Sequence, residues 1–364
     1  MSSLFCSKKA SLFLRVYTPL ALLIRWLHKD PPPKPIPSNP KILLCCWGSL
    51  GDVLLACSIL PLLQERWPKG SFGFLCETGS VDVLLGQTKL THIHTAPNWM
   101  NCSKKMALFS LLYHTIFSYP RVAARIQALS YDLSIELHPF FPNTLPLARK
   151  AKISRRIAFS TGGYDVWMTE PIPFPSSWDY LPLLYPKLLK GLGITSTRLP
   201  CSRPLQCARE KIVIHMGTSD PRKEWPLSLW KELILLLRKH NYPLLFTGKG
   251  LREKASLSEL CSLEENLCNK QDFSSFSRTI QEARALITVD SLSVHLAALF
   301  QTPQVALYLY NETVDLWLPP TNNCRLLISE NCHFQHKKEG AYYFQETITA
   351  KEIFSHLQSL LEEP

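Results

Sequence analysis

Twice along this chain an apolar run of strand character ends in a short polar turn that opens an apolar helical run, and such strand-turn-helix junctions belong to α/β folds with parallel sheets. The first runs from Lys41-Ile42-Leu43-Leu44-Cys45-Cys46 into Trp47-Gly48-Ser49-Leu50-Gly51-Asp52. The second runs from Ala285-Leu286-Ile287-Thr288 into Val289-Asp290-Ser291-Leu292-Ser293-Val294-His295. At the carboxyl end of a parallel strand the next helix presents unpaired N–H groups and a positive dipole end, which suits phosphate or an ionised carboxylate. One junction carries an acid after a glycine-containing turn, the other an Asp-Ser pair with a histidine one turn later.

Around these junctions the alternation is regular. The pattern predicts a strand over 41–47, a helix from about 52 to 66, a strand over 71–76, a mixed stretch to about 100, helical periodicity over 104–128 and a buried strand at Tyr131–Leu137. Residues 171–204, with prolines at 171, 173, 175, 182, 186, 200 and 204, read as helix and connector. A second alternation starts at Lys211–His215 and continues through a helix over 227–239, a strand at Pro243–Thr247 and a helix from about 251. It ends with a strand over 285–289, a helix over 292–300 and a strand at Gln304–Tyr308. With 364 residues, 46% of them hydrophobic, the chain has core enough for two domains. Two such halves facing each other across a cleft would bind a ligand between them, at the strand carboxyl ends.

The net charge of +11 is unevenly spread. Lys8, Lys9, Arg15, Arg25, Lys29, Lys34 and Lys41 stand against Asp30 alone in the first 41 residues, and residues 104–156 hold nine bases against Asp132 and Glu136. Such clusters favour anionic partners. No zinc-finger spacing, RNP-type aromatic motif or basic heptad helix accompanies them, so nucleic acid is not the expected partner. In the largely apolar stretch Leu12–Leu27, Arg15 and Arg25 leave Val16–Ile24 as the uncharged run, too short for the roughly 20 residues of a membrane span. A basic, aromatic-containing segment of this kind suits the headgroup plane of a membrane, or a helix packed on the domain surface. The proline-rich stretch Pro31–Pro37 follows as a stiff linker. The 12 cysteines are scattered with no CxxC, consistent with a reducing compartment. Cys324, Cys332, His333 and His336 fit no common zinc spacing, so no metal site is expected.

Four motifs in order carry a resemblance. Lys41–Pro61 (KILLCCWGSLGDVLLACSILP) resembles the opening of glycosyltransferase family 9, the bacterial heptosyltransferases of the lipopolysaccharide inner core. Tyr131–Leu137 resembles that family's mid-domain strand, His215–Pro226 (HMGTSDPRKEWP) its Lys-x-Trp-Pro loop, and Val289–Pro303 (VDSLSVHLAALFQTP) its Asp-Ser/Thr-Gly-x-x-His loop. Ile348–Ile353 is similar to the start of its last helix. The resemblance implies a GT-B type α/β fold: two Rossmann-like doubly wound domains facing across a cleft, plus the N-terminal basic apolar extension. Residues 1–40 would then be extension and linker, 41–204 the acceptor-binding domain, 205–345 the donor-binding domain and 346–364 a C-terminal helix.

It further implies an inverting, metal-independent transfer with a nucleotide sugar as substrate, no cofactor, an anionic glycolipid acceptor and work at the cytoplasmic face of the inner membrane. Inversion needs a base for the acceptor hydroxyl, with the nucleoside diphosphate leaving from the opposite face. Asp52 matches the family's base, and a helix N-terminus favours its ionised form. A simple helix cap is the plainer reading of an aspartate there. Lys223 matches the family's phosphate-contacting lysine, with Thr218 and Ser219 as added donors. Asp290, Ser291, Leu292 and His295 fall on donor-loop positions, the helix amides at 292–295 suiting the pyrophosphate. Gly51, Arg121 and Arg125 are the candidate acceptor contacts, within the wider basic set of Lys104, Lys105, Arg149, Lys150, Lys152, Arg155 and Arg156.

One position departs from the pattern: Leu292 stands where the family has glycine, so the diphosphate is crowded or the turn is rebuilt. Transfer of another nucleotide sugar and a degenerate, non-catalytic nucleotide-sugar binder are the alternatives. No GxGxxG follows any strand, which disfavours a dehydrogenase.

Overall fold

The computed structural model describes residues 18–19, 21–26, 30, 32–97, 110, 113–140, 143–161, 165–196 and 210–362. Lys8, Lys9, Arg15, Lys29, Lys104 and Lys105 lie outside the described residues. The chain divides into two units: Met1–Ser176 with Leu184–Arg198, and Ser177–Leu183 with Leu199–Pro364.

The first unit is built on β1 (Lys41–Cys46), α1 (Leu50–Ala56), α2 (Leu60–Arg66), β2 (Ser71–Cys76), β3 (Leu90–Thr95), α3 (Tyr119–Ala128), β4 (Leu133–Glu136), α4 (Leu145–Lys150), β5 (Arg155–Ser160), β6 (Glu170–Pro173) and, from Leu184 on, α5 (Leu181–Leu189). Its six strands are parallel, in the order β3-β2-β1-β4-β5-β6. The order reverses between β1 and β4, and that reversal is where an open α/β sheet leaves a crevice at its carboxyl edge. After Lys41, β1 is buried on both faces, as its unbroken apolar run requires of a central parallel strand. The helix expected from 52 to 66 is two helices joined by a 3-10 turn at Cys57–Ile59. It begins two residues earlier because Ser49 caps it, and it restarts at Leu60 because Pro61 has no N–H for the preceding helix.

The second unit follows with β7 (Ile212–His215), α6 (Leu227–Lys239), β8 (Leu244–Thr247), α7 (Leu251–Ser258), α8 (Phe273–Gln281), β9 (Ala285–Val289), α9 (Leu292–Phe300), β10 (Gln304–Tyr308), β11 (Cys324–Ser329), β12 (Ala341–Phe344) and α10 (Ala350–Glu362). Its parallel order is β12-β11-β10-β9-β7-β8, which reverses between β7 and β9. In α6 the buried residues Trp230, Leu233, Ile234 and Leu237 recur at helical spacing and join Ile212, Ile214, Ile287 and Leu357 in one core. Each such side chain contributes about 1.5–3 kcal/mol on burial.

Candidate active site

Asp52 sits at the third position of α1, directly beyond β1 and beside the reversal of the first sheet. Its Oδ2 accepts hydrogen bonds from the Ser49 amide at 2.6 Å and the Ser49 hydroxyl at 2.7 Å. The carboxylate is therefore part of the helix cap, with two donors on one oxygen in the first turn of the helix. Gly48 makes this fold-back feasible: a Cβ there would stand 2.4 Å from the Cβ of Asp52. Gly51 is half-buried one residue before Asp52. At the end of the neighbouring strand, burial pushes His138 down while the charge of Asp52 pulls it back up, so the imidazole senses the carboxylate. Glu136 lies wholly inside, and burial pushes its carboxyl up to about 7 against the opposing pull of the Thr144 hydroxyl and the His138 and Thr144 amides.

In the second unit, two strand ends separated by most of a domain in sequence meet at the sheet reversal. Lys223, in a 3-10 turn after β7, donates from Nζ to Asp290 Oδ2 at 2.6 Å, just beyond β9. Asn311, after β10, donates from Nδ2 to the same oxygen at 2.9 Å. Asp290 is only 6% exposed, so this anion is held by a cation and an amide. The Lys-x-Trp-Pro pattern now has a physical reason. Trp225 is buried against Trp230, with ring centroids 4.8 Å apart, and its indole N–H bonds the Ile348 carbonyl at 2.9 Å. The tryptophan pins the loop so that the lysine two residues earlier turns back over the strand ends.

Residues 181–343 match the profile of glycosyltransferase family 9 (heptosyltransferase). That stretch takes in Lys223, Asp290 and Asn311. Lipopolysaccharide heptosyltransferase 2 of Salmonella typhimurium is 28% identical over 195 residues, covering 50% of this chain and 55% of that protein, so the chain spans about half the length of this relative. The glycosyltransferase family 9 protein of Veillonella parvula has a similar structure, with a TM-score of 0.69 at 18% identity over 88% of this chain and 97% of its own. An E. coli heptosyltransferase solved with ADP-2-deoxy-2-fluoro heptose gives 0.67 at 17% identity over 88% and 99%. These likenesses bear on the fold: a GT-B type chain with two Rossmann-like units.

Within the matched stretch, the hydroxyls of Thr288, Ser293 and Ser291 form a chain with 2.7 Å links from Ser293 to each neighbour. Ser291 thus spends its side chain on Ser293 and does not cap the amides of α9. Leu292 opens the helix half-buried, after a fully extended Ser291, and has no left-handed backbone angle. The turn accepts leucine without strain, which favours the rebuilt alternative over the crowded one. Leu292→Gly is accordingly expected to leave ADP affinity within about twofold while lowering stability by about 1–2 kcal/mol through lost burial and helix propensity. Calorimetry and thermal unfolding measure both; a tenfold tightening of ADP would mean that leucine hinders the site.

His295 is 5% exposed, with Nδ1 3.2 Å from the Tyr180 hydroxyl and its ring beside those of Tyr180 and Trp317. Thr218 accepts from the Asp220 amide at 3.4 Å, and Ser219 is exposed. Asp220 is held down to about 2 by its hydrogen bonds and ion pair with Arg222, whose guanidinium lies 4.1 Å from the centre of the Tyr310 ring.

Two contributors escape a motif reading. Asn311 was reachable only by treating the end of β10 as a third junction. Glu253 folds back over three glycines at the ends of β7 and β8. A Cβ at Gly217, Gly248 or Gly250 would stand 3.4, 3.2 or 2.8 Å from its side chain, and Gly250 has φ +120. A carboxylate over such a glycine floor is a ready acceptor for hydroxyl groups.

The basic set in the first unit is smaller than its sequence count. Arg149 pairs with Asp30 at 2.8 Å and lies over the Trp167 ring. Arg155 pairs with Glu170 at 2.6 Å. Arg156, 2% exposed, also bonds Asp30 and the Trp167 carbonyl. Arg156 is a structural cation, because a buried guanidinium must have its donors met, and the partly exposed Arg149 and Arg155 are committed to carboxylate partners. Arg121, Arg125, Lys150 and Lys152 remain exposed. Among the described residues no three His, Cys, Asp or Glu side chains converge as metal ligands, and the Cys332 thiol donates to the Tyr308 carbonyl at 3.3 Å.

Proposed function

We propose that the chain is an inverting glycosyltransferase that moves a sugar, heptose from ADP-heptose, onto an anionic lipopolysaccharide inner-core acceptor. The observation that carries this reading is the Lys223–Asp290–Asn311 cluster at the reversal of the second sheet, beside helix amides that the N-cap side chain leaves uncapped. A diphosphate arriving there meets a cation and a helix N-terminus, which together neutralise the charge that grows on the leaving group. Asp52 takes the proton of the acceptor hydroxyl as that oxygen attacks the anomeric carbon. Thr218, Ser219 and Ser291 supply hydroxyl donors around the diphosphate, and Asp290 and His295 complete the donor side. No metal is needed for this chemistry, and transfer is expected to persist in EDTA. The similarity to proteins described as heptosyltransferases supports heptose as the sugar. Calorimetry with ADP, UDP and GDP tests the donor: ADP alone binding at micromolar concentration supports the reading, and preference for UDP or GDP, or no binding at millimolar concentration, replaces it.

The same reading has the enzyme working at the cytoplasmic face of the inner membrane. Among the described residues no helix is long and apolar enough to cross a membrane. The Arg25 guanidinium bonds the Val166 carbonyl at 2.6 Å and Asp30 holds Arg149 and Arg156, so the N-terminal segment is tied to the first unit. It leaves Leu22, Leu23 and Trp26 at 54, 51 and 70% exposure. That combination suits a peripheral contact strengthened by the surrounding bases, at about 1 kcal/mol per base near anionic lipid. The double variant Leu22→Ser, Trp26→Ser is expected to lose most flotation with phosphatidylglycerol vesicles while keeping its melting temperature. Undiminished flotation would remove the segment from this role. Deleting residues 1–40 would test less cleanly, since it strips buried Arg156 of Asp30.

A further inference from the structure

The helix leading into β4 carries an outward face that the assignments above leave unused. Tyr113, Ile116 and Phe117 are 49, 60 and 50% exposed, at a π-helical turn over His114–Ser118 that continues into α3. The opposite side of α3 is firmly packed, with Val122, Ala123 and Ile126 in the core of the first unit. Single exposed apolar residues are ordinary, whereas three within five residues form a patch that marks an interaction site. Farther along the same helix Arg121 and Arg125 are exposed as well. Tyr113, Phe117, Arg121 and Arg125 recur every four residues, the spacing of one helix face. At 1.5 Å per residue the guanidinium-bearing positions lie about 6 and 12 Å beyond Phe117. The face is therefore apolar at one end and cationic at the other.

A path of tilted and edge-on ring contacts joins this face to the turn that bears Asp52. Trp47, immediately before Gly48, lies 5.5 Å from Tyr119 between ring centres. Tyr119 lies 5.9 Å from His114, His114 is 5.4 Å from Tyr113, and Tyr113 is 5.3 Å from Phe117. Tyr119 is fixed by its hydroxyl on the Pro97 carbonyl at 3.1 Å, and His114 by Ser118 at 3.0 Å. The strip runs from solvent to the turn that bears Asp52. A water-soluble sugar acceptor would have no use for three exposed apolar side chains, and a bilayer contact alone would have no use for a link to the Asp52 turn. An amphiphile with an anionic head satisfies both.

We propose that Tyr113, Ile116 and Phe117 take the acyl end, and Arg121 and Arg125 the phosphate or carboxylate, of the anionic glycolipid acceptor, so that this helix face reads the boundary between its lipid and its saccharide. This rests on the glycolipid reading of the acceptor. It names the apolar half of the recognition surface, which the basic residues alone do not provide.

The test titrates heptose-deficient lipopolysaccharide, either whole or stripped of its acyl chains, into the full-length protein, with ADP affinity and melting temperature as checks on folding. The double variant Ile116→Ser, Phe117→Ser is expected to bind the whole glycolipid about tenfold more weakly and the stripped saccharide as well as wild type does. Arg121→Gln with Arg125→Gln is expected to weaken both forms, more so at low salt. Wild-type affinity of the serine variant for the whole glycolipid would overturn the proposal while leaving the acceptor reading standing. Binding of neither form by the wild-type protein would overturn that reading and the proposal with it. Equal loss of binding to phosphatidylglycerol vesicles that contain no acceptor would make the face a general bilayer contact, and would also overturn the proposal.

Discussion

Asp52→Asn is expected to lower kcat by about 100-fold or more while leaving ADP affinity unchanged. The asparagine side chain keeps an oxygen for the Ser49 amide and hydroxyl, which bond Asp52 Oδ2 at 2.6 and 2.7 Å, so the start of α1 survives. What it loses is the capacity to accept a proton, and general-base catalysis contributes about 10²–10⁴ in rate. The loss falls on a step reached only in the transition state, which is why kcat drops and nucleotide binding does not. Because asparagine still accepts at the cap, the melting temperature is expected to hold, and a variant that also keeps its turnover would remove Asp52 from the chemistry.

The second large effect is expected at Lys223. Lys223→Ala should weaken ADP by about 10- to 100-fold, since a hydrogen bond to a charged group contributes about 1.5–3 kcal/mol. It should also lower the stability of the second unit, because Asp290 at 6% exposure would keep only the Asn311 amide at 2.9 Å. Adenosine, which has no phosphate, should bind the variant as it binds wild type. Calorimetry with ADP and adenosine measures this directly. Unchanged ADP affinity with a lowered melting temperature would mean that the lysine serves only as the counter-ion of Asp290.

The central strands and the two junctions were legible because their burial follows from local pattern: β1 after Lys41 and β9 apart from Thr288 are apolar runs, and each leads through a short turn into a helix. The strands that escaped are mostly at sheet edges. β3 carries His92 and His94, β6 carries Pro171 and Pro173, and β12 has exposed Tyr342. An edge strand can tolerate prolines and polar side chains because one row of its backbone groups needs no ladder partner. β5 is internal, yet it opens with Arg155 and Arg156, whose partners Glu170 and Asp30 are remote in sequence. No local pattern reveals that such charges point inward. The same limit applies at the site. Sequence order brought out Lys223 and Asp290 singly, but their 2.6 Å pairing spans 67 residues and exists only once the second sheet is assembled.

Leu292 shows the converse. Read against a glycine-bearing pattern it marks a disturbance, but the backbone shows an ordinary helix start with extended Ser291 before it. A motif records the residue that relatives use, whereas the dihedral angles record what this chain needs.

The most direct test of the account is to incubate the purified protein with ADP-heptose and heptose-deficient lipopolysaccharide, then follow released ADP and examine the glycolipid by mass spectrometry and NMR. ADP is expected in step with addition of one heptose, in the anomeric configuration opposite to the donor's, with no product from the Asp52→Asn variant. A product with retained configuration, or no product from ADP-, UDP- or GDP-linked sugars, would contradict it.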